Sequence, residues 1–295
     1  MYVGLCLVWG STWLAIKIGL RDLPPLLFAG VRMALACVLL TPFAFTRPGP
    51  GPTRVERRWI AWSGFLQIGV SYACIFLAEE RIATGLAALL FATFPIFVGL
   101  FAHWLLPAEP LTARTLVSAL LGLSGVAVVQ GPALAASFAA AETRALLVGS
   151  ALILVSAAVS GYSNVVNKKH LGGVSPFRNV WGQTLAGSSL LLVGAAVVER
   201  SAPTRWTAGS VGAVAYLAVV GTALPFVGLF WLIRRVPVAV VGTIPVVDTV
   251  IAIVLGGLVL NESFSPRILA GGALILTGVL LAAIPRRPGA AAAAA

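Results

Sequence analysis

Residues 82–105 run without a single Asp, Glu, Lys or Arg, and comparable stretches, rich in Leu, Ala, Val and Gly, follow one another along nearly the whole chain. In a lipid bilayer every backbone N–H and C=O must be satisfied within the protein, so a continuous apolar run of about 20 residues is a spanning helix. A membrane β-barrel would instead alternate apolar and polar residues in segments of about ten. A soluble core is excluded on composition, since globular domains are about 25% charged and this chain is 10% charged and 59% hydrophobic. The expected fold is therefore all-α and polytopic, with ten transmembrane helices near 2–20, 25–45, 58–78, 82–105, 112–130, 146–168, 174–197, 208–231, 236–260 and 266–284.

The chain also repeats itself. Residues 8–20 return in changed form at 159–171, setting Gly10 against Gly161, Thr12 against Ser163, Trp13 against Asn164 and Lys17 against Lys168, with Pro25 and Pro176 in the same register. Further on, Tyr72, Phe76, Arg81 and Pro95 align with Phe226, Phe230, Arg235 and Thr249, which places Phe94 opposite Asp248. A first unit of five spans (1–130), a linker (131–145), a second unit of five (146–287) and a low-complexity tail (288–295) follow from this. Because five is odd, the second copy must be inverted, an arrangement that places a transport site between the repeats. With the amino terminus inside, twelve loop Lys and Arg residues lie inside, among them Arg54, Arg57, Arg58, Arg234 and Arg235. Six lie outside: Arg21, Arg81, Arg144, Arg200, Arg205 and Arg267. That bias predicts cytoplasmic termini.

The net charge of +11 and pI near 10.8 come from short loops between apolar runs, with no basic domain to hold a duplex. The expected partner is the anionic face of a bilayer and not nucleic acid. Cys6, Cys37 and Cys74 lie singly inside apolar runs, and His103 and His170 have no ligand-forming context, so neither metal nor cofactor is expected. No phosphate-binding loop or nucleophile elbow is present, and the first span has no cleavage site behind it. Catalysis is not expected.

Several phrases carry a family resemblance: Trp9-Gly10-Ser11-Thr12-Trp13 in the first span, Pro25 through Arg32 opening the second, residues 85–95 in the fourth, and Glu109 and Glu262 closing the fourth and ninth. Taken together and in order, they resemble the EamA branch of the drug/metabolite transporter superfamily, and the aromatic content is similar to that of YddG-type amino-acid exporters. The resemblance implies a central cavity lined by spans one, three, four, six, eight and nine, with span two at the periphery. The family's ninth span usually reads Glu-Pro where this chain has Asp248 and Thr249, with Pro245 three residues before the acid.

Candidate substrate ligands are Trp13, Tyr72, Phe76, Glu79, Tyr162, Asn164, Asn167, Phe226 and Phe230. Tyr72, Phe76 and Glu79 follow one another at helical spacing and can share a face, where rings and a carboxylate suit an apolar side chain and an ammonium group. They could equally form a core stripe with a solvated end. Asp248, a mid-span acid, is a candidate for proton coupling or substrate contact, against the alternative of a structural hydrogen bond. Pro95 and Pro245 are candidate gating points, since proline breaks the helical hydrogen-bond ladder. Arg32 reads as a helix-to-helix contact, and Lys17 and Lys168 as snorkelling ends. The expected function is export of small zwitterionic metabolites, chiefly aromatic or other apolar amino acids, across a bacterial inner membrane by alternating access. Export of drugs or cationic metabolites is an alternative, and a non-transporting scaffold is an alternative of another class. The glycine faces at 122–125 and 271–272 fit packing within the bundle or between protomers, so the oligomeric state stays open.

Overall fold

The computed structural model describes residues 1–46, 51–106, 113–135, 140–225 and 244–283. All regular structure among them is helical. In chain order the helices are α1 (Tyr2–Gly19), α2 (Pro25–Phe45), α3 (Arg54–Gly64), α4 (Ser71–Glu79), α5 (Thr84–Phe91), α6 (Phe94–Leu105), α7 (Ala113–Ala135), α8 (Ala141–His170), α9 (Pro176–Val198), α10 (Ala208–Ala218), α11 (Ile244–Leu260) and α12 (Pro266–Ala283). Six helical segments are long and apolar enough to cross a membrane: α1, α2, α3 through α4, α5 through α6, α8 and α9. The described parts of the rest are shorter apolar helices.

Three departures from straight helices matter for the site. Between α3 and α4 the chain widens into a π-helical segment, Phe65–Val70, and a second, Val219–Ala223, follows α10. The register that pairs Tyr72 with Phe226 pairs Phe65 with Val219, where the second begins. It also pairs Thr53 with Thr207, and each of these threonines caps its helix in a reciprocal box, with Glu56 and Ser210 respectively. The third departure is a break at Ala92 and Thr93. The span expected over 82–105, with a bending point at Pro95, is two helices, and Pro95 stands at the second position of α6, where its missing N–H costs nothing. At the junction between repeats, α7 runs to Ala135 and α8 starts at Ala141, so helix occupies both ends of the stretch expected as a linker.

The helices pair across the two halves. α2 lies along α9 and α7 along α12, each helix against its counterpart in the repeat. α1 lies along α11, and α8 along α6. Two glycines make these last approaches close. A methyl at Gly10 would meet the Asp248 carbonyl at 2.8 Å, and one at Gly161 would meet the Val98 backbone nitrogen at 3.0 Å. Gly125 and Gly271 touch across α7 and α12, a Cβ on either lying within 2.7 Å of the other's carbonyl oxygen, so this small-residue face packs inside the bundle.

One end of the bundle is stitched by polar contacts. The Glu262 carboxylate accepts from the Thr84 and Gly85 N–H groups (2.7 and 3.1 Å) at the start of α5. Glu199 does the same for Leu26 and Leu27 at the start of α2, at 2.8 Å each. Carboxylates suit helix N-termini because the unsatisfied N–H groups and the helix dipole both favour negative charge. The Glu262 contact needs the chain to reverse at Asn261, whose φ of 55° is left-handed, a conformation Asn tolerates.

Candidate functional site

Where the cross-half pairs meet, about half-way along the helices, they enclose a cavity of about 320 Å³, at the lower end of the range for small-molecule sites. Its apolar wall is aromatic. Trp9 and Trp13 come from α1, Tyr72 from α4, Phe91 from α5 and Phe94 from α6. Trp13 meets Phe91 edge-on at 5.6 Å, and Phe91 stacks on Phe94 at 5.9 Å.

Some of its polar groups come from helix irregularities. The first π-helical segment carries Gln67, and Ser71 follows it directly; the second contributes Gly221 and Thr222. π-bulges of this kind recur at functional sites because they redirect side chains and loosen backbone hydrogen bonds. Ser71 Oγ bonds Ser156 Oγ (2.7 Å) and Ser160 Oγ (2.8 Å) of α8, and Gln67 Nε2 donates to the same Ser160 hydroxyl at 3.2 Å. Asn164, one turn on, donates to the Ser160 carbonyl at 3.3 Å. The Gln67 Oε1 acceptor is buried and has no hydrogen-bond partner. From α11, Asp248 and Thr249 complete the lining.

Arg32 differs from its sequence reading. Read as a peripheral helix contact, it lines the cavity, although α2 itself lies outside it. Its side chain is 2% exposed. The guanidinium lies 5.1 Å from the centre of the Tyr72 ring and 6.0 Å from that of Phe76. Its NH2 group donates to Thr222 Oγ1 at 3.3 Å, while Nε has no hydrogen-bond partner. Among the described residues no carboxylate pairs with it.

The cavity thus brings together Trp13, Tyr72, Asn164 and Asp248 from the sequence candidates. Four others lie elsewhere. Phe76 is fully buried behind Tyr72, edge-on to Phe28 at 5.1 Å. Glu79 is also fully buried, near the stitched end, where Thr84 Oγ1 donates to Oε2 at 3.4 Å. Lys17, expected to snorkel, instead donates to the carbonyls of Glu79 and Ile82 at the close of α4, which lack helical partners. Tyr162 packs edge-on against Phe101 at 5.6 Å, and Asn167 Oδ1 accepts from Gln183 at 3.2 Å. Phe226 and Phe230 lie outside the described residues, as does the side chain of Pro245, the second residue of α11. Sequence reading missed Gln67, Ser71, Thr222 and the role of Arg32. A lone Gln in an apolar span was a visible signal for Gln67, whereas Thr222 carried none.

Comparison with known proteins matches this architecture. A model of the EamA-like transporter family matches residues 1–130 and 147–284. The uncharacterized transporter YoaV of Bacillus subtilis (strain 168) is 27% identical over 285 residues, covering 95% of this chain and 94% of its own length. The uncharacterized inner membrane transporter YedA of Escherichia coli (strain K12) is also 27% identical, covering 94% of this chain and 88% of its own. A solved crystal structure with 20% identity superposes with a TM-score of 0.65, covering 95% of this chain and 94% of the other, a likeness of fold. With both halves matched by the family model, around a cavity that takes helices from each, the chain belongs to the EamA-like transporter family.

Proposed function

We propose that this membrane transporter exports small zwitterionic metabolites, chiefly aromatic or other apolar amino acids, in the manner of YddG-type exporters. The observation that carries the reading is the cavity itself. Trp13, Tyr72, Phe91 and Phe94 offer rings for an apolar side chain, while Asp248, Asn164 and the free Gln67 acceptor suit an ammonium group. Ten spans in two inverted repeats of five are the arrangement proposed for the whole chain. The matched π-helical segments and the matched threonine caps support it, since they recur in one register. So do the glycine-mediated pairs α1 with α11 and α8 with α6. A bacterial inner membrane is the proposed location, as for the inner membrane transporter YedA.

Alternating access follows if the fourth and ninth spans bend in turn, with Pro95 and Pro245 as their weak points. In the state described, the Glu262 clamp holds α5 to the end of α11. The deciding experiment is uptake of labelled amino acids by purified protein in vesicles, with and without a pH gradient. Flux of phenylalanine or leucine is the expected result. An inert protein that co-purifies with a fixed partner would instead indicate a scaffold, and flux of organic cations alone a drug exporter.

A further inference from the structure

The aromatic cavity explains how an apolar side chain and an ammonium group are held but leaves the substrate's other charge without a partner. We propose that Arg32 receives a substrate carboxylate, making it the residue that selects carboxylate-bearing solutes over lipophilic cations. This deepens the amino-acid reading and rests on it.

A guanidinium in an apolar interior is costly unless its charge and its donors are met. Ordinarily an acid on a neighbouring helix does this. Here, among the described residues, the protein supplies the hydroxyls of Thr222 and Tyr72 and the faces of two rings but no carboxylate, and Nε is left without an acceptor. Hydroxyls and rings orient the planar group without neutralising it. A planar guanidinium on a cavity wall, with a donor still unmatched and its charge uncompensated, suits a carboxylate. Thr222 stands in the second π-helical segment, and Tyr72 follows closely on the first, so both irregularities serve the placement of this one cation.

The acid that could quench it is in the same cavity but not in contact. Asp248 lines the cavity from α11, its Oδ1 3.5 Å from Thr249 Oγ1, and forms no ion pair with Arg32. A separated cation and anion on the wall of one cavity form a complementary site for a zwitterion. A carboxylate at Arg32 leaves the ammonium free to reach Asp248 and Gln67. A lipophilic cation would satisfy Asp248 and the rings but meet the Arg32 charge at low dielectric, where like charges repel most strongly.

The test uses purified full-length protein and three probes that share a phenyl ring: phenylalanine, 3-phenylpropionate, which has the carboxylate alone, and phenethylamine, which has the ammonium alone. Binding is read from the change in intrinsic tryptophan fluorescence, to which Trp9 and Trp13 contribute from the cavity wall, and thermal unfolding checks that each variant is folded. In Arg32→Gln, phenylalanine and 3-phenylpropionate are expected to weaken by about tenfold or more, as the loss of a charge-assisted bond implies, with phenethylamine unchanged or tighter. Arg32→Lys should restore part of the loss. Should Arg32→Gln not fold, the wild type still decides. Phenylalanine methyl ester, which keeps ring and ammonium but has no carboxylate charge, should bind about tenfold more weakly than phenylalanine. Carboxylate probes held within twofold by folded Arg32→Gln, or an ester bound as tightly as the acid, would overturn the assignment while leaving amino-acid transport standing. Binding of 3-phenylpropionate but not phenylalanine would do the reverse. Binding of phenethylamine alone would sink both.

Discussion

Asp248 and Arg32 occupy one chamber with opposite formal charge, yet the sequence ranked them differently. Asp248 was conspicuous because an acid in the middle of an apolar run is rare and usually functional. Arg32 was discounted because the family resemblance implied a peripheral helix; what sequence could not convey is the reach of an arginine side chain, which brings its head past Phe76 to Tyr72. Asp248 lends itself to a direct check. Cys6 on α1 lies close enough to feel its charge, the Thr249 hydroxyl is 3.5 Å from its Oδ1, and the Arg32 cation lines the same cavity. If it binds a proton in the cycle, wild-type transport should vary with pH, and Asp248→Asn should flatten that dependence. Parallel pH profiles for the two proteins would remove Asp248 from the coupling step and leave it as a ligand. The candidates that fall outside the cavity do so for different reasons. Ile75 lines the cavity, so Phe76 misses it by turning toward Phe28 of α2, whereas Glu79 lies further on, against Thr84 near the stitched end.

Helix boundaries were largely legible from apolar runs bounded by proline and charge, as at Pro25 and Pro176, each of which opens its helix. The helix interruptions were not. Nothing in Phe65–Val70 or Val219–Ala223 announces a π-helical turn, because neither proline nor a polar cluster forces one; the demand comes from placing Gln67 and Thr222 on the cavity wall. Proline gave a partial signal at the fourth span. Pro95 marks the region, but the break itself falls at Ala92 and Thr93, where the Thr93 hydroxyl donates to the Leu90 carbonyl at 2.7 Å. Removing the proline ring should let α5 and α6 fuse, since an interior proline disfavours a continuous helix by about 3 kcal/mol. Pro95→Ala is accordingly expected to slow transport in vesicles by about tenfold while leaving the protein folded. Unchanged transport would mean that the bending point lies elsewhere.

For the molecule as a whole, the repeat read from Gly10 and Gly161, or from Tyr72 and Phe226, led to the expectation of two related halves but carried nothing of how helices from distant parts of the chain pack together. That information lies in contacts between distant residues, to which a self-alignment is blind. The proposed orientation has its own test. With twelve basic loop residues on one side and six on the other, a fluorescent-protein fusion at the carboxyl terminus should fluoresce in bacterial cytoplasm. An alkaline phosphatase fusion at the same point should be inactive, and the opposite pair of results would invert the proposed topology.

The glycine contacts extend this to what one copy of the repeat can do unaided. Gly10 holds α1 against α11 so closely that a methyl group has no room, and Gly161 does the same for α8 and α6. In each case the opening helix of one half has its close partner in the fourth span of the other. Any rocking motion that carries α11 must therefore carry α1 with it, and the units that move are chimeras of both halves. A polypeptide cut between α7 and α8 would have to be supplied as two fragments in the same membrane, because either one alone lacks the surface on which its first helix comes to rest.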